Sequence, residues 1–253
     1  MAVDLEGHVA VITGGNGGIG LGMAHGLAAA GAGVAVWGTN EEKNARAAKE
    51  LAAHGRPVEA FRCDVRHEDQ VVETFAATVA AFGKVDSVFA NAGAGGGNRP
   101  FVEMTLEEWR AVLAVNLDGA FLTLREGARH LIERGEGGSL VAVSSASAIH
   151  GAPRHQHYAA SKTALLALIR SLAVELARYG IRCNALIPGW VETDLTERSR
   201  QNPKFLENTT YRTPVRRWGR PDDFAAVAAY LADPSLVFHT GDALVVDGGY
   251  TVF

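Results

Sequence analysis

The sequence has few cysteines and no long apolar run, and each absence excludes a class of protein. Only Cys63 and Cys183 occur among its 253 residues, and both lie in apolar stretches typical of strands. Buried, reduced thiols therefore fit better than a disulfide framework or a metal site. No apolar run is long enough to span a bilayer, and the first seven residues lack the basic and apolar regions of a leader. We expect a cytoplasmic protein without a membrane partner.

The charge balance excludes a further class. The 28 acidic residues outnumber the 24 basic ones, which gives a formal net charge of -4. A nucleic-acid-binding protein would normally show a basic stripe, so no nucleic-acid partner is expected. Hydrophobic residues make up 47% of the chain and charged residues 21%. This composition can build a sizeable core, so we expect residues 1–253 to form a single folded domain.

Short apolar runs alternate with helical patterns along almost the whole chain. The predicted strands are 8–13, 34–37, 58–62, 85–90, 139–143, 181–187 and 243–246. The predicted helices are 19–30, 41–54, 68–82, one that begins at Thr105, 157–179 and 221–232. Because the strands are apolar throughout, the pattern predicts an α/β fold of Rossmann type. We expect a doubly wound, mainly parallel seven-stranded sheet with helices on both faces.

Residues 189–220 interrupt this alternation. The segment is polar, contains Pro203 and Pro214, and is expected to be irregular. A long irregular insertion in a compact domain is usually a lid or a binding loop, so we interpret it as a substrate-loop insert. Its aromatic residues are expected either to form the apolar wall of a pocket or to anchor the loop: Trp190, Phe205 and Tyr211.

A glycine-rich turn, TGGNGGIG at 13–20, joins the first strand to the first helix. Glycines allow the backbone to approach a pyrophosphate, and the helix N-terminus offers free N–H groups to the anion. The spacing differs from the standard G-x-G-x-x-G, so the prediction depends on the position after the first strand. The residues expected to contact the cofactor are Gly14, Asn16, Gly18, Ile19 and Gly20.

Two more loops follow predicted strands. Asp64 and Val65 follow the third strand, and Asn91, Ala92 and Gly93 follow the fourth. Open α/β sheets bind ligands at the carboxyl ends of their strands, where Asp64 could hydrogen-bond an adenine amino group. These residue types also favour ordinary turns, so the prediction depends on the joint placement of the two loops.

Tyr158 and Lys162 are four residues apart on a predicted helix and therefore share one face. A Lys ammonium beside a phenol favours the phenolate and eases proton transfer. Tyr158 could then protonate a developing alkoxide, or deprotonate an alcohol in the reverse direction. Ser145 follows the fifth strand, and its hydroxyl could donate to a carbonyl oxygen where charge develops. A Tyr/Lys pair alone is common on helices.

Together these residues resemble the classical short-chain dehydrogenase/reductase (SDR) family along essentially the whole chain. The matching features are TGGNGGIG at 13–20, Asp64, NAG at 91–93, Asn116, Ser145, Tyr158, Lys162, Asn184, Pro188–Gly189 and VDGGY at 246–250. The resemblance implies an NAD(P)(H)-dependent oxidoreductase that moves a hydride between nicotinamide and a carbonyl or secondary alcohol. It also implies a homotetramer or homodimer.

The family pattern assigns a role to each matching residue. It implies that Tyr158 is the acid/base, that Lys162 binds the nicotinamide ribose, and that Ser145 orients and polarises the substrate carbonyl. It also implies that Asn116 maintains a proton-relay water and that Thr193 contacts the carboxamide. From the residues alone, Asn116 indicates only a helix irregularity and Thr193 a cap. The segment after the sixth strand is expected to contact the cofactor through Pro188, Gly189, Val191 and Thr193.

The stretch after the second strand bears on the choice between NAD and NADP. In such folds an acid there binds the ribose 2′-hydroxyl of NAD, while a nearby Arg accepts the 2′-phosphate of NADP. Here these positions are Gly38 and Thr39. Thr39 and Asn40 could hydrogen-bond either cofactor, and Lys43 could reach the site. No acid stands there to repel a phosphate and no basic residue stands there to hold one, and NADP is slightly favoured.

Three histidines crowd the segment between Ser145 and Tyr158: His150, His155 and His157. No acid or cysteine completes a metal-ligand set at sensible spacing, so no metal is expected. Two interpretations stay open: the three histidines line the substrate entrance, or they lie on a surface loop without a specific function. Helix 157–179 has an apolar, small-residue face that suits subunit packing: Ala164, Leu165, Leu168, Ile169, Leu172 and Ala173.

Three other functions compete with the oxidoreductase. An NAD(P)-binding sensor or scaffold would keep the glycine loop but would not need Ser145, Tyr158 and Lys162 together. A lyase or epimerase using transient hydride transfer usually has a larger C-terminal domain than the chain after Gly189 allows, but fold analogy cannot decide this. A methyltransferase would share only the glycine-rich turn.

Overall fold

A computed structural model of the chain describes residues 3–253, and these contain one seven-stranded sheet. The strands are β1 Val9–Thr13, β2 Gly33–Gly38, β3 Val58–Arg62, β4 Ser87–Ala90, β5 Gly138–Val143, β6 Ile181–Pro188 and β7 Ala243–Val246. Their order in the sheet is β3-β2-β1-β4-β5-β6-β7, and every neighbouring pair is parallel. The predicted parallel seven-stranded sheet is confirmed.

Helices cover both faces of this sheet. They are α1 Gly18–Ala29, α2 Glu41–Leu51, α3 Glu68–Phe82, α4 Leu106–Leu113, α5 Gly119–Arg134, α6 Gln156–Leu176, α7 Glu197–Arg200, α8 Pro203–Arg212 and α9 Ala225–Ala232. Apolar side chains of α3, α5 and α6 form one buried cluster with the sheet. Those of α1, α2 and α9 form the second cluster on the opposite face. The fold is therefore doubly wound, as predicted.

The inner strands β1, β2, β4, β5 and β6 are mostly apolar because both of their faces are buried, whereas the edge strand β3 contains the exposed residues Glu59 and Arg62. Val9 and Val11 of β1 belong to one core cluster, whereas Ala10 and Ile12 belong to the other. Successive side chains of a strand point to opposite faces of the sheet, so a strand covered on both sides needs apolar residues at every position. This arrangement explains the continuous apolar runs of the sequence.

The segment between β6 and β7 is more regular than the sequence suggested. The prediction of an irregular insert over 189–220 is wrong in part, since α7 and α8 lie within it. The Asn202 side chain accepts a hydrogen bond from the Phe205 backbone, and Pro203 occupies the first turn of α8. Such a cap followed by proline starts a helix even in a polar stretch.

Helix α6 uses its apolar face within its own subunit. Leu165, Ile169 and Ala173 are all buried in the core cluster on the sheet. The apolar face identified in the sequence is therefore largely occupied by the chain itself. Both Cys63 and Cys183 are buried free thiols, as expected. Within residues 3–253, no helix combines the length and the hydropathy that crossing a bilayer requires.

Helix α1 approaches the start of α9 at backbone distance, which only glycine allows. A Cβ atom on Gly26 would lie 2.2 Å from the Ala225 carbonyl oxygen. We expect Gly26→Ala to lower the free energy of unfolding by about 2 kcal/mol or more, because backbone must move to admit the methyl group. Urea unfolding followed by circular dichroism measures this change.

The sign of the effect makes the test decisive. In an unobstructed helix interior, Gly→Ala ordinarily stabilises by about 1 kcal/mol. Gly151→Ala is the matched control, since no atom lies within 4 Å of its Cβ position, and its effect should stay within about 0.5 kcal/mol. A stabilised Gly26→Ala protein would contradict the close contact between the two helices.

Candidate active site

A cleft of about 490 Å³ opens at the carboxyl ends of β1, β4, β5 and β6. Most of the residues predicted for the cofactor and for catalysis line it. These are Gly14, Asn16, Gly18, Ile19, Gly20, Asn91, Ala92, Gly93, Ser145, Tyr158, Lys162, Pro188, Gly189, Val191 and Thr193. Open parallel sheets bind their ligands at the carboxyl ends of the strands, which is where this cleft lies.

Five predicted residues lie outside the lining of the cleft: Thr39, Asn40, Asp64, Val65 and Asn116. The Asn40 side chain instead caps α2, accepting a hydrogen bond from the Lys43 backbone at 2.8 Å. Thr39 is exposed beside it. Val65 is buried in the core, where its side chain packs close to Gly119.

The carboxylate of Asp64 is already occupied in this structure. Arg66 Nε donates to its two oxygens at 2.9 and 3.0 Å, and the Arg66 backbone N–H donates at 3.1 Å. The hydrogen bonds from the Arg66 side chain are the main reason that the pKa of Asp64 lies below its ordinary value. The expected hydrogen bond from Asp64 to adenine would have to compete with this ion pair.

The cleft also contains Lys43, which the sequence analysis expected could reach the site, and residues that it did not assign to the cofactor: Gly17, Val143, Ser144, Asp194, Leu195 and Thr196. Ser144 precedes Ser145, and its hydroxyl donates to the Lys162 carbonyl at 2.8 Å. Lys43 Nζ and Asp194 Oδ2 are 2.6 Å apart, although 151 residues separate them. No local pattern could have predicted that contact.

The glycine-rich turn is held from the neighbouring strand. The Thr13 hydroxyl accepts hydrogen bonds from the backbone N–H groups of Asn91 and Ala92, each at 3.0 Å. The Asn91 amide donates to the Thr13 carbonyl at 2.9 Å. A Cβ atom on Gly20 would lie 2.2 Å from the Gly14 carbonyl oxygen, so this position excludes any larger residue.

Helix α1 starts without a capping side chain, since its N-cap is Gly17. The first N–H groups of a helix need an acceptor, and an anion satisfies them while meeting the positive end of the helix dipole. The turn, the missing cap and the cleft therefore fit a pyrophosphate. The site is consistent with the dinucleotide that the sequence predicted.

Lys162 is a buried cation at the floor of the cleft. Its ammonium group donates to the Val143 carbonyl at 2.8 Å and lies 5.8 Å from the centre of the Tyr158 ring. Burial disfavours the charged form and lowers the pKa of Lys162 to about 8. The ammonium is therefore held in place but poorly solvated.

The pKa of Tyr158 differs from the expectation based on the sequence. Burial raises it above its ordinary value, and the hydrogen bond with the Ser145 side chain opposes this only partly. Lys162 was expected to favour the phenolate and so to lower this pKa. Its ammonium instead donates to the Val143 carbonyl and lies 5.8 Å from the centre of the Tyr158 ring. In the protein alone Tyr158 is thus a neutral phenol at neutral pH, suited to donate a proton.

Asn116 lies at a helix irregularity, as the sequence indicated. It belongs to the π-helical turn Ala114–Asp118 between α4 and α5 and is fully buried. Its amide oxygen accepts from Ala94 N at 2.7 Å, and its amide nitrogen donates to the Ala94 carbonyl at 3.0 Å and to Ser161 Oγ at 3.1 Å. Asn116 therefore ties the loop after β4 to α6.

The three histidines do not converge. His157 is buried near the start of α6, where burial lowers its pKa, while His150 lies near Arg212 at 3.5 Å. The rings of His155 and His157 are 6.3 Å apart. Over residues 3–253, no group of three or more His, Cys, Asp or Glu side chains could hold a metal ion.

The aromatic residues of the substrate loop differ in role. Trp190 stacks on Trp218, with ring centres 5.2 Å apart, and meets Phe205 edge-on at 5.0 Å. This cluster favours the interpretation that these residues anchor the loop. Tyr211 is 69% exposed and contributes to neither a pocket wall nor the core.

Comparison with known proteins agrees with the geometry. The family model described as Enoyl-(Acyl carrier protein) reductase matches residues 14–251. The 2,5-dichloro-2,5-cyclohexadiene-1,4-diol dehydrogenase of Sphingobium indicum is 37% identical over 251 residues, 98% of each chain. The L-rhamnose 1-dehydrogenase (NAD(P)(+)) of Azotobacter vinelandii is 37% identical over 246 residues, 96% of each chain.

A solved structure gives the same result. The gluconate 5-dehydrogenase of Burkholderia cenocepacia, in complex with NADP and tartrate, superposes with a TM-score of 0.93 at 35% identity. The match covers 99% of this chain and 98% of that one. The chain therefore belongs to the short-chain dehydrogenase/reductase family. It is an NAD(P)-dependent oxidoreductase that acts on a carbonyl or secondary alcohol.

The lowered pKa of Lys162 gives stability a pH dependence of known sign. The pKa is about 8 in the folded protein against an ordinary 10.5, so between these values the unfolded chain binds more protons. Stability from this group therefore rises with pH across that window, and the full penalty applies below it. Lys162→Met removes the penalty and should stabilise the protein at pH 7, by up to about 3 kcal/mol.

Urea unfolding of both proteins at several pH values measures this difference. The advantage of Lys162→Met over the wild type should shrink as the pH rises from about 8 to about 10.5. Groups common to both proteins, Tyr158 among them, largely cancel in the comparison. A difference that stays constant across this window would show that the ammonium is not desolvated.

Proposed function

We propose that Tyr158, Ser145 and Lys162 form the catalytic group of this oxidoreductase, with Tyr158 as the acid/base. The supporting observation is that all three line the cleft that also contains the uncapped N-terminus of α1. A bound nicotinamide cofactor supplies or accepts the hydride at the substrate carbon. The protein has to orient the substrate and to move one proton at its oxygen.

The proton step follows from the state of the two hydroxyl groups. In reduction, the neutral Tyr158 phenol donates its proton to the carbonyl oxygen as charge develops there. The Ser145 hydroxyl donates a hydrogen bond to the same oxygen and so stabilises that charge. In oxidation, Tyr158 must first release its own proton to solvent, and the phenolate then accepts the proton of the alcohol. The Lys162 ammonium is held by the Val143 carbonyl 5.8 Å from the ring centre, so it supports the transient phenolate only through its charge and not through a direct contact.

The remaining predicted residues have supporting roles in this proposal. The turn from Gly14 to Gly20 binds the pyrophosphate, and residues 91–93 border the adjoining ribose. Pro188, Gly189, Val191 and Thr193 bind the nicotinamide end. Asn116 maintains a proton-relay water, consistent with the π-helical turn, since such turns are frequent at functional sites. Thr39, Asn40, Asp64 and Val65 would border the adenosine only peripherally.

Removal of the phenol hydroxyl tests the acid/base role. Tyr158→Phe should reduce turnover by about 10²-fold or more, because a positioned acid/base contributes about that much. Cofactor affinity, followed by nicotinamide fluorescence, should change little, since the ring is retained. Turnover can be measured with a panel of ketones and secondary alcohols, starting from the substrates of the relatives.

Tyr230→Phe is the matched control, since this tyrosine lies on α9 and outside the lining of the cleft. Its turnover and cofactor affinity should both match the wild type. Undiminished turnover of Tyr158→Phe would refute the assignment. A wild-type protein that binds the cofactor but turns over no substrate would instead favour the sensor interpretation.

The favoured cofactor in this proposal is NADP. The position where an NAD-selecting acid would stand is Gly38, and a Cβ atom there would lie 2.1 Å from the Asn16 amide nitrogen. That amide donates to Asn44 Oδ1 at 2.6 Å, so the space is filled by neutral groups. Lys43 lines the same end of the cleft and could exchange Asp194 for a 2′-phosphate.

Titration with both cofactors tests this preference. NADPH should bind several-fold more tightly than NADH, and Lys43→Met should weaken NADPH binding by about tenfold while NADH binding changes little. Nicotinamide fluorescence measures both affinities. Lys49→Met removes another lysine of α2 and should affect neither. Equal losses for the two cofactors in Lys43→Met would exclude a contact with the 2′-phosphate.

The proposal extends to assembly and location on the strength of the family resemblance. The protein is proposed to act on a small-molecule alcohol or ketone in the cytoplasm, as a homotetramer or homodimer. Exposed apolar side chains outside the cleft are consistent with subunit contacts, including Val174 at 85% and Phe238 at 102% exposure. Nucleic acid, membrane and metal have no part in it.

A further inference from the structure

Arg212, at the end of α8, is a half-buried cation with no carboxylate of residues 3–253 within ion-pair distance. Its guanidinium stacks on the Tyr250 ring at 4.4 Å. Its remaining contacts are long, with 3.5 Å to the Tyr250 hydroxyl and 3.5 Å to His150 Nε2. These distances are at the limit for a hydrogen bond, so most of its N–H groups stay available.

Two other arginines of the same segment are neutralised, whereas Arg198, Arg216 and Arg220 have no carboxylate partner among residues 3–253 but are exposed to water. Arg200 pairs with Glu197 at 2.6 Å, and Arg217 pairs with Asp223 at 2.6 Å. Arg200 and Arg217 are both exposed, whereas Arg212 is half-buried. Water alone would solvate the charge of an exposed arginine well. A partly buried guanidinium held against an aromatic ring but left without an acid is therefore suited to an anion from outside the chain.

The position of Arg212 relates it to the active site. His150 lies five residues after Ser145, beyond one turn of 3₁₀ helix, Ala146–Ala148. Tyr250 follows the turn at Asp247, and a Cβ atom on Gly189 would lie 2.7 Å from that aspartate. Gly189 itself lines the cleft. Arg212, His150 and Tyr250 do not line the cleft themselves. The chain joins His150 to Ser145, and it joins Tyr250 to the turn that packs on Gly189, so the three residues border the proposed carbonyl site.

The nearby acid does not compete for Arg212. The Asp247 carboxylate accepts hydrogen bonds from the backbone N–H groups of Gly249 at 2.8 Å and Thr251 at 2.7 Å. It therefore fixes the turn that presents Tyr250. The aromatic ring in turn holds the guanidinium plane, and a planar fork of N–H donors matches a carboxylate in two-point contact.

We propose that the substrate is a hydroxy acid, or the corresponding keto acid, whose carboxylate binds Arg212 with support from His150 and Tyr250. This inference rests on the proposed function, because it specifies the substrate of the same site. In oxidation, the alcohol carbon loses a hydride to the oxidised nicotinamide, and its oxygen loses a proton to Tyr158 in the phenolate form. The carboxylate takes no part in bond changes and only orients the molecule.

Pairs of ligands that differ in charge alone test the proposal. D-Gluconate and D-gluconamide form one pair, and 3-hydroxybutyrate and 3-hydroxybutyramide form a shorter pair. Each is titrated into the NADPH-loaded protein, where an alcohol ligand cannot react, and binding is measured by calorimetry. In at least one pair the acid should bind about tenfold more tightly than the amide. In Arg212→Met this preference should disappear while amide binding stays unchanged.

Two further variants keep the result interpretable. Arg170→Met removes an exposed arginine of α6 that has, within residues 3–253, no stacking contact like that of Arg212 on Tyr250, and it should retain the preference for the acid. Arg212→Lys keeps the positive charge but lacks the planar fork of N–H donors, and it should retain part of the preference for the acid over the amide. If Arg212→Met fails to bind NADPH, Arg212→Lys supplies the comparison instead. An acid preference as large as that of the wild type in Arg212→Lys would refute two-point binding of the carboxylate.

The outcomes separate this inference from the proposed function. A wild-type protein that binds NADPH but prefers no acid over its amide refutes the carboxylate site and leaves the oxidoreductase intact. An unchanged acid preference in Arg212→Met has the same meaning. A wild-type protein that binds neither NADPH nor NADH overturns both proposals together.

Discussion

The parallel arrangement of the strands is the constraint on which the site depends. Because β1, β4, β5 and β6 run in one direction, the segments that follow them meet at one edge of the sheet. The Thr13 hydroxyl then joins the ends of β1 and β4 by accepting from two backbone N–H groups. Residues more than a hundred positions apart thereby become neighbours, and the loops can vary without disturbing the frame that holds them.

The site retains groups that cost the fold stability. A buried Lys162, a desolvated Tyr158 and a helix without a capping side chain are each unfavourable in the protein alone. In the proposed function, a dinucleotide and a carbonyl supply the partners that these groups lack in the protein alone. The stability of the strands and of the packed helices offsets these costs, which is the usual relation between a rigid frame and a strained site.

The sequence predicts most of the frame because the frame depends on local patterns. Apolar runs locate the strands, and Thr105 with Glu108 forms the capping box that starts α4. For the same reason the glycine turn follows β1 and the Tyr158/Lys162 pair lies on one helix, as the sequence predicted. Contacts between residues distant in the chain could not be predicted from local patterns. The contact of Lys43 with Asp194 and the stacking of Arg212 on Tyr250 depend on the folded chain. The ion pair of Asp64 with Arg66 was likewise not predicted, because the sequence does not show which neighbour takes the charge of Asp64.

The π-helical turn at Ala114–Asp118 makes the length of this segment as important as its composition. A π turn contains one more residue than the α-helical turn it replaces, and one residue corresponds to about 100° of helical rotation. Loss of a single residue here would restore a regular helix between α4 and α5. It would also turn Asn116 away from Ala94 and Ser161. Related chains can therefore exchange side chains in this turn, but insertions and deletions would uncouple the loop after β4 from the catalytic helix.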